Sequence, residues 1–346
     1  MSATIGGKLA EPTDYELRGD FIVRLLLICF DNLGDLVFTS SLVAPLKARY
    51  PEASWTILCK DYAADIARAF AVDAEVIAAD PWWSGSPGRK SGRVMEFLKA
   101  VARARRSRPD LTIVTSTNWR ASAVAWLVGS PVRIGFDRPK SRWWLTHAVS
   151  MGEWSQTPIT ASLAMLLEPC GVTIDKANVP PTELKPDRSL VPASIMPTKD
   201  FVVLHPFAGD PRRCWPIKAW GQLAGWIRDA GYAVVWMGRE EEVAIVTEAN
   251  PDASSDFFMP RLNNGRLAVT LLVTSSAKCL VGHDSGPIHF AAAMDVPVLG
   301  LYLPSLYPQT VTKGHGAHAV IYRQNPRELQ LGDVSRELKV LLALRD

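Results

Sequence analysis

The stretch VRLLLICFDNLGD, residues 23–35, decides the fold of this chain. An apolar run of strand length, residues 23–30, enters a turn that carries Asp31, Gly34 and Asp35, and a segment with helical periodicity follows. Strand, polar turn and helix in this order form the first half of a βαβ unit, from which parallel sheets covered by helices are built. Because ligands bind beyond the carboxyl ends of the strands in such sheets, the turn lies on the predicted functional edge.

The same alternation extends from this stretch through the first half of the chain. The predicted elements are strands at 23–30, 54–59, 75–78, 111–115 and 132–136 and helices at 35–49, 62–70, 92–106 and 120–128. They predict one doubly wound α/β unit.

The second half of the chain repeats the pattern after a proline-rich segment. Five prolines lie among polar residues between positions 178 and 200, and proline disfavours helix interiors and central strands. The later elements are predicted as strands at 201–205, 233–237, 279–282 and 298–302 and helices at 217–230, 240–249, 265–274, 285–294 and 326–344.

Two domains of similar architecture are therefore expected, and 346 residues suit two domains of ordinary size. The predicted boundaries are a loose N-terminal extension at 1–20, a first domain at 21–178, a linker at 179–199, a second domain at 200–325 and a C-terminal helix at 326–346. The C-terminal helix can pack back on the first domain.

The composition limits the class of protein. With 48% hydrophobic and 21% charged residues, the chain does not match a disordered tail, a collagen-like fibre or a membrane channel. The net charge of +3 is too small to indicate nucleic-acid binding by itself. Five widely spaced cysteines without a Cys-x-x-Cys pair indicate a reduced, cytosolic protein.

Several familiar nucleotide motifs are absent from the sequence. No Gly-x-Gly-x-x-Gly follows a strand, and the sequence contains neither a P-loop nor an Asp-x-Asp pair, the usual anchor for a metal-held nucleotide diphosphate. We therefore expect protein groups, rather than a metal, to neutralise any diphosphate that binds here.

The first group of reactive residues is the turn after the first strand, with Thr39 downstream in the predicted helix. Asp31 and Asp35 lie on the functional edge, and Gly34 permits close backbone approach. One interpretation is a general base held beside an interdomain cleft. The alternative is that both carboxylates only cap the helix.

The second group is the loop from His205 to Pro216, which follows the first strand of the second domain. Arg212 and Arg213 precede Trp215 in this loop. Guanidinium groups suit phosphate because they stay charged and pair bidentately, so the loop can offer fixed cations to an anion. The alternative is a solvated basic loop.

The third group lies between a strand and a helix near the end of the second domain. Asp284 precedes Ser285, Gly286 and Pro287, and the backbone amides at this helix start would favour an anion such as pyrophosphate. Asp284 would accept a hydrogen bond from a sugar hydroxyl. The alternatives are that Asp284 or Ser285 only caps the helix, and that His289 is a packing residue.

Together these motifs resemble those of the bacterial heptosyltransferases of the lipopolysaccharide inner core, glycosyltransferase family 9. The resemblance rests on Asp-x-x-Gly-Asp after the first strand, His-Pro-x-x-Gly with Arg-x-Trp-Pro in the middle, and Gly-x-Asp-Ser-Gly-Pro-x-His near the end. It implies the GT-B fold, in which two Rossmann-like domains with parallel sheets face each other across a cleft. The implied activity is an inverting transfer of a heptose, or a related sugar, from an ADP-sugar on the second domain to an acceptor on the first.

The resemblance also implies roles for individual residues. Asp35 matches the catalytic carboxylate, and Arg213 matches the basic residue that contacts the diphosphate. The implied donor-binding residues are His205, Arg212, Glu242, Asp284, Ser285, Gly286 and Pro287, and the implied acceptor-side residues are Asp31, Gly34 and Thr39. Glu242 is chosen from three consecutive glutamates as the ribose ligand. No metal or other cofactor is implied, because the ADP-sugar is a substrate.

A basic tract with tryptophans lies in the first domain. Thirteen lysines and arginines between positions 89 and 142 oppose three acidic residues, and six tryptophans lie within or beside them. This mixture suits an acidic glycolipid acceptor and peripheral contact with an anionic membrane, which places a cytoplasmic protein at the inner face of the inner membrane. The alternatives are single-stranded nucleic acid, which we do not expect as a partner, and a solvated helix face over core tryptophans. We expect a monomer.

Two other functions stay open on the sequence alone. The same fold can use another nucleotide-sugar for a different surface glycan, or the chain can be a binding module that holds a nucleotide-sugar without turnover. The intact turn at 31–35 argues against the second of these.

Overall fold

The computed structural model describes residues 24–70, 73–85, 91–151, 157–175, 181, 183–190, 196–263, 266–304, 310, 314 and 316–343. The predicted N-terminal extension at 1–20 and parts of the predicted linker lie outside these residues. The described residues form two six-stranded sheets.

The first sheet is parallel throughout and has helices between its strands. Its strands are β1 (Arg24–Cys29), β2 (Ser54–Cys59), β3 (Ala74–Ala78), β4 (Leu111–Val114), β5 (Val132–Phe136) and β6 (His147–Val149). The helices of this half are α1 (Leu33–Thr39), α2 (Val43–Arg49), α3 (Ala64–Phe70), α4 (Val94–Arg106), α5 (Trp119–Val128) and α6 (Ile159–Ala164). The strand order across the sheet is β3-β2-β1-β4-β5-β6.

Strand β1 is apolar throughout its centre because helices cover both faces of the sheet. Leu25 and Leu27 belong to a core shared with α1, α2 and α3. Leu26 and Ile28 point to the other face and belong to a core shared with α4 and α5. Burial on both faces explains why the sequence shows an unbroken apolar run here instead of an alternating one.

The second sheet is also parallel and repeats the strand order of the first. Its strands are β7 (Phe201–His205), β8 (Ala233–Trp236), β9 (Phe257–Phe258), β10 (Cys279–His283), β11 (Val298–Tyr302) and β12 (His318–Tyr322). The helices of this half are α7 (Ile217–Asp229), α8 (Glu240–Ala249), α9 (Met259–Asn263), α10 (Leu267–Ser275), α11 (Gly286–Ala293) and α12 (Leu331–Ala343). The order β12-β11-β10-β7-β8-β9 is the Rossmann order when it is counted from β7.

The predicted helix at 35–49 is divided into α1 and α2 by a 3₁₀ turn at Ser40–Leu42. The Ser40 hydroxyl donates to the Val37 carbonyl at 2.6 Å, a local hydrogen bond that competes with α-helical pairing. Pro45 lies in the first turn of α2, where a missing N–H costs nothing. The sequence therefore predicted the position of the helical segment correctly, but it did not predict the 3₁₀ turn that divides it.

The sequence prediction did not include the strands β6, β9 and β12 or the helices α6 and α9. The three strands are edge or terminal elements of two to five residues. Strands β6 and β9 are only three and two residues long, too short to show an apolar run, whereas β12 contains the apolar residues 319–322 and was overlooked.

Helix α12 packs on the second sheet, which corrects the expectation that the C-terminal helix packs back on the first domain. Val334, Leu338, Leu341 and Leu342 are buried in a core with β10, β11 and α7. Their spacing was recognised in the sequence, but an apolar stripe does not specify which sheet it will cover.

The two halves are joined at several places between α3, α10 and α11. Leu184, in the predicted linker, is buried and its N–H donates to the Ala293 carbonyl at 2.7 Å, while the next N–H donates to the Ala69 carbonyl at 3.0 Å. Asp65 of α3 accepts a hydrogen bond from the Ala268 N–H of α10 at 3.0 Å. The described part of the linker is therefore packed between the halves.

Neither a disulfide nor a membrane-spanning helix is found in the described residues. The five cysteines are free thiols, and Cys214 is the one that is not fully buried. In the described ranges, every helix is too short or too polar to cross a bilayer.

Candidate active site

The candidate active site lies where the carboxyl ends of the two sheets meet. The strand order reverses between β1 and β4 in the first sheet and between β7 and β10 in the second, and ligands of open α/β sheets bind at such switch points. Helices α1 and α11, which follow β1 and β10, pack against each other. Their contact brings the predicted turn at 31–35 beside the predicted loop at 284–287.

His289 of α11 lies against the start of α1. A Cβ atom placed on Gly34 would lie 3.0 Å from His289 Cδ2, so only glycine fits here without displacing the imidazole. The His289 ring also packs on Phe38 at a centroid distance of 4.6 Å, and its Nε2 lies 3.6 Å from Asp284 Oδ1. His289 is buried, as the packing interpretation predicted, and it also interacts electrostatically with both predicted functional carboxylates.

Asp35 lies in the first turn of α1 and is partly buried. Its Oδ2 atom accepts a hydrogen bond from the Asn32 N–H at 2.9 Å, so the helix-capping interpretation holds in part. Burial raises the pKa of Asp35 above its usual value, while the Asn32 N–H, His289 and Lys60 act in the opposite direction. The carboxylate is therefore held in a low-dielectric position with its charge only partly compensated.

Asp31 is a second partly buried carboxyl in the same turn. Burial, together with the charge of Asp35, raises the pKa of Asp31 to about 6, although Ser116 and Lys60 lower it. Ser116 follows β4, and its Oγ atom also accepts the Phe30 N–H at 2.9 Å. The turn is thus fixed to the neighbouring strand at the switch point.

Lys60 is a site residue that the sequence analysis did not single out. It follows β2, is only 3% exposed, and donates from Nζ to the Gly85 carbonyl at 3.4 Å. Its positive charge lowers the pKa of both Asp31 and Asp35. The signal was available, because a lysine directly after a buried strand lies on the same functional edge as the turn.

Arg213 and Asp284 form an ion pair between the second and third predicted loops. Arg213 Nη2 lies 2.7 Å from Asp284 Oδ2, and the two side chains are 26% and 6% exposed. Thr310 Oγ1 donates to the same carboxylate oxygen at 3.0 Å. The Nε atom of Arg213 has no partner among the described residues, so this guanidinium keeps an unused donor.

His205 and Ser285 connect the end of β7 to the start of α11. Ser285 Oγ lies 3.3 Å from His205 Nδ1 and donates to the His283 carbonyl at 3.0 Å. Burial lowers the pKa of His205 to about 4, so its imidazole is neutral near pH 7. A neutral imidazole here does not repel or attract a phosphate by charge.

His283 has a structural role and lies behind the site. It is 1% exposed, and its Nε2 atom accepts the Trp215 N–H at 3.1 Å. Burial lowers the pKa of His283 to about 3. Trp215 in turn donates from Nε1 to the Leu329 carbonyl at 3.0 Å, so His283 anchors the arginine-bearing loop to the body of the second half.

Glu242 is the most buried of the three consecutive glutamates that were considered for ribose binding. Its side chain is 12% exposed, whereas that of Glu241 is 66% exposed. Glu242 Oε2 accepts the Arg239 N–H at 2.7 Å, and Oε1 pairs with the Arg239 guanidinium at 2.9 Å. Its carboxylate is therefore fixed at the start of α8.

A cavity of about 1400 Å³ opens beside these residues and is lined by both halves of the chain. The second half contributes His205, Glu242, Ser285 and Pro287, which were predicted to bind the donor. The first half contributes a smaller wall made of Leu33, Asp61, Tyr62 and Asp65. A second cavity, of about 620 Å³, lies at the ends of β2 and β3 and shares Asp61 with the first.

Eight of the twelve predicted site residues do not line this cavity: Asp31, Gly34, Asp35, Thr39, Arg212, Arg213, Asp284 and Gly286. The side chain of Arg212 is 89% exposed and pairs with Asp210 at 2.7 Å. Thr39 is 1% exposed, and its hydroxyl donates to the Asp35 carbonyl at 2.9 Å and lies 3.0 Å from Thr115 Oγ1. Arg212 is therefore directed to solvent, and Thr39 supports the turn from behind.

A metal centre is not found in the described part of the chain, where no three His, Cys, Asp or Glu side chains are grouped to hold an ion.

The sequence matches a family model. The model, described as glycosyltransferase family 9 (heptosyltransferase), matches residues 98–340 of this chain, which is well over half of it. The chain is also similar to lipopolysaccharide heptosyltransferase 2 of Escherichia coli strain K12. The two are 23% identical over 327 residues, which cover 90% of this chain and 92% of that protein.

Solved structures share the fold. The structure of Escherichia coli ADP-heptose lipopolysaccharide heptosyltransferase II is similar with a TM-score of 0.77 at 21% identity, covering 93% of this chain and 99% of that one. An Escherichia coli heptosyltransferase solved with ADP has a TM-score of 0.70 at 16% identity, covering 92% of this chain and 100% of that one. These likenesses and the two parallel sheets confirm the predicted GT-B architecture.

Proposed function

Because this chain belongs to glycosyltransferase family 9, the heptosyltransferase family, we propose that it transfers a heptose from an ADP-heptose donor to an acceptor of the lipopolysaccharide inner core. Membership in the family makes the chain a glycosyltransferase. The identity of the sugar, of its nucleotide and of the acceptor is the proposed part. The descriptions of two structural relatives, which name ADP-heptose and ADP, support this choice of donor.

One observation carries the proposal: Asp35 of the first half and the loop at 284–287 of the second half meet where α1 packs on α11. A transfer reaction needs a base for the incoming hydroxyl and stabilisation for the departing diphosphate. On this proposal the first half of the chain supplies the base, and the second half stabilises the diphosphate. The cavity of about 1400 Å³ beside this contact is large enough for a nucleotide-sugar.

We assign the donor to the wall that the second half provides. The diphosphate would lie at the start of α11, where backbone amides and the helix dipole favour negative charge. Arg213, held by Asp284, would supply a fixed guanidinium. Glu242, fixed by the Arg239 backbone, would accept hydrogen bonds from the ribose hydroxyls.

We assign the proton transfer to Asp35. As the acceptor hydroxyl oxygen forms its bond with the anomeric carbon, Asp35 takes the hydroxyl proton. The bond between the anomeric carbon and the diphosphate oxygen breaks, and its electron pair leaves with ADP. Arg213 and the amides stabilise that charge, and attack from the side opposite the leaving group inverts the anomeric configuration.

Replacing Asp35 with asparagine tests the base without disturbing the helix. The amide oxygen of Asn can still accept the Asn32 N–H, so folding and ADP binding should be retained while kcat falls about 10²–10⁴-fold. Asp252→Asn, at an exposed position of the second half, is the matched control and should leave kcat unchanged. Near-normal turnover of the Asp35 variant with saturating substrates would refute the assignment.

Two adjacent arginines provide a second, internally controlled test. Arg213→Ala should lower kcat about 10²–10³-fold because it removes the cation beside the leaving group. Arg212→Ala should have a much smaller effect, since the Arg212 side chain is paired with Asp210 in solvent. Equal losses in both variants would mean that the loop acts through its overall charge.

Two measurements would identify the substrates. Calorimetry with ADP, UDP and GDP should show the tightest binding for ADP, and tighter binding of UDP or GDP would point to another nucleotide-sugar. Mass spectrometry of the core oligosaccharide from a strain without this protein should show the loss of a heptose. An unchanged core with a shortened surface glycan elsewhere would refute the acceptor. On this proposal the protein works in the cytoplasm, at the inner face of the inner membrane.

A further inference from the structure

The exposed apolar side chains are concentrated in the first half of the chain. Ten large hydrophobic side chains are exposed among the described residues, and seven of them lie between positions 82 and 143. These seven are Trp82, Val94, Met95, Leu98, Trp126, Leu127 and Trp143. Contiguous apolar surface on a soluble protein marks an interaction site more often than scattered residues do.

Helix α5 presents several of these residues on its outward side. Trp119 and Trp126 are seven residues apart, as are Arg120 and Leu127, so each pair lies on one side of the helix. Trp126 is 51% and Leu127 is 41% exposed, whereas Val124 and other α5 residues on the opposite side are buried. The solvent side of α5 is therefore aromatic and apolar where a polar side is expected.

The segment between β5 and β6 extends this surface. Lys140 Nζ lies 5.9 Å from the centre of the Trp119 ring, and the Trp144 ring lies 5.4 Å from that of Trp126. Trp143 is 76% exposed, the largest value among the exposed hydrophobic side chains of the described residues. We call the set Trp119, Arg120, Trp126, Leu127, Arg138, Lys140, Trp143 and Trp144 the tryptophan face.

Positive charge is interleaved with these rings. The Arg120 guanidinium lies 4.9 Å from the Trp119 ring centre, on which Lys140 also lies. Arg138 is exposed nearby, and the acidic residue of the segment, Asp137, is paired with Arg142. The tryptophan face therefore offers cations and indole rings together.

We propose that the tryptophan face binds the surface of a bilayer that contains anionic lipid. Indole rings prefer the interface between headgroups and hydrocarbon, and each lysine or arginine near an anionic surface adds attraction. The inference goes beyond the proposed function, because it does not depend on which sugar is transferred.

The shape of this surface favours a bilayer over single-stranded nucleic acid. Nucleic acid requires a groove that follows the backbone and flat rings on which bases stack. Here the rings lie on the outer side of a helix, and Trp126 meets Trp144 at 61°, edge to face. Exposed rings on the outer side of a helix fit a planar interface better than they fit a threaded strand.

The position of the tryptophan face leaves the active site free. Helices α4 and α5 cover one face of the first sheet, and α1, which contacts the second half, covers the other. A bilayer that contacts α5 would therefore not cover the contact between α1 and α11, so membrane binding and donor binding are compatible.

Vesicle co-sedimentation tests the proposal. Vesicles of phosphatidylcholine with phosphatidylglycerol should retain the protein at low salt, and vesicles of phosphatidylcholine alone should retain it poorly. Arg138→Gln with Lys140→Gln should weaken binding roughly 25-fold, about fivefold for each cation. Trp143→Ala, at a highly exposed position, should weaken binding roughly tenfold or more without affecting the fold.

Matched variants in the second half serve as controls. Arg336→Gln with Lys339→Gln removes two exposed cations of α12, and Val340→Ala removes an exposed apolar side chain of the same helix; both should bind vesicles like the unmodified protein. Equal losses in control and test variants would overturn the proposal, as would unchanged binding in the test variants. Tighter binding to a single-stranded oligonucleotide than to the vesicles would overturn it in favour of nucleic acid.

Transfer activity separates this proposal from the proposed function. The three tryptophan-face substitutions should leave the affinity for ADP unchanged, because ADP is assigned to the second half of the chain. A protein that binds vesicles through this face but transfers no heptose would refute the proposed function alone.

Discussion

Gly34 and Gly286 face each other across the boundary between the two halves of the chain. A Cβ atom on Gly34 would lie 3.7 Å from Gly286 Cα, and a Cβ atom on Gly286 would lie 3.6 Å from the Gly34 nitrogen. The starts of α1 and α11 thus approach each other head to head, and both ends carry partial positive charge. Asp35 and Asp284 lie beside this contact, where their carboxylates offset that charge.

Adding a methyl group at this contact should separate the two halves. In Gly286→Ala the new Cβ would lie 3.1 Å from Leu33 Cβ, and in Gly34→Ala it would lie 3.0 Å from His289 Cδ2. We expect each variant to lose about 1–3 kcal/mol of stability and to bind ADP more weakly, because the wall of the cavity moves. Thermal unfolding and calorimetry with ADP would measure the two effects.

The control for these variants is Gly332→Ala at the start of α12, where an added Cβ meets nothing within 4 Å. This substitution should leave ADP affinity unchanged and should raise stability slightly, because alanine favours a helix. If Gly34→Ala and Gly286→Ala behaved like Gly332→Ala, the close packing of α1 on α11 would be refuted.

Asp31→Asn should stabilise the protein at neutral pH. The raised pKa of Asp31, about 6, means that the folded protein binds its proton more tightly than the unfolded chain does. Stability therefore falls as pH rises from about 4 to about 6, and the deficit persists above that range. Removing the carboxylate should add about 2–3 kcal/mol to the free energy of unfolding near pH 8.

The same variant should show little or no gain near pH 4, where Asp31 is protonated in the folded protein. Urea unfolding at the two pH values would measure the difference. A gain that is equal at both pH values would show that the effect comes from packing or from the Ser116 contact instead of from the buried charge.

The fold was predictable because the central strands are buried on both faces. Residues 23–30 and 201–205 gave clear apolar runs, and the regular return of helices between strands specified a parallel sheet. The edge strand β6 and the placement of α12 were not predictable, because a short edge strand has little periodicity and an amphipathic helix does not encode its partner. The break at Ser40 depends on one side-chain hydrogen bond that competes with the helix.

The turns and loops that meet at the candidate site could be predicted from the sequence, but the pairing of their charged side chains could not. Asp35 and Asp284 were singled out because they follow strands at the predicted functional edge, and the structure brings the helices that begin beside them into contact. The effect of Lys60 on Asp31 and Asp35 was missed, because Lys60 follows a different strand and only the sheet brings it close. Arg212 and Arg213 are adjacent and could not be distinguished from the sequence. In the structure Arg212 pairs with Asp210, and Arg213 pairs with Asp284.

Lys60→Gln should move the acid limb of the kcat–pH profile to higher pH. Lys60 lowers the pKa of Asp31 and Asp35, so both pKa values should rise when the charge is removed. Because the proposed base Asp35 must be ionised, kcat should then begin to fall at a higher pH than in the unmodified protein. Lys47→Gln, which removes an exposed lysine of α2, is the control and should leave the limb in place.

An unchanged limb in Lys60→Gln would contradict either the coupling or the choice of Asp35 as base. The Asp31→Asn variant distinguishes these two possibilities. If Asp31 were the base, Asp31→Asn would abolish turnover, whereas on our assignment it keeps the ionised Asp35.

Asp65→Ala should weaken the joint between α3 and α10. Asp65 Oδ2 accepts the Ala268 N–H at 3.0 Å. A side chain of the first half therefore provides a hydrogen-bond acceptor for an N–H in the first turn of α10, which has no acceptor within its own helix. Losing this hydrogen bond should lower the free energy of unfolding by about 1 kcal/mol and Tm by roughly 2–4 °C. Asp65→Asn should retain most of this stability, because the amide oxygen can still accept the N–H. Arg68→Ala, which removes the exposed partner of Asp65, should cost less than about 1 kcal/mol. Equal losses for Asp65→Ala and Arg68→Ala would assign the stability to the ion pair and refute the interdomain cap.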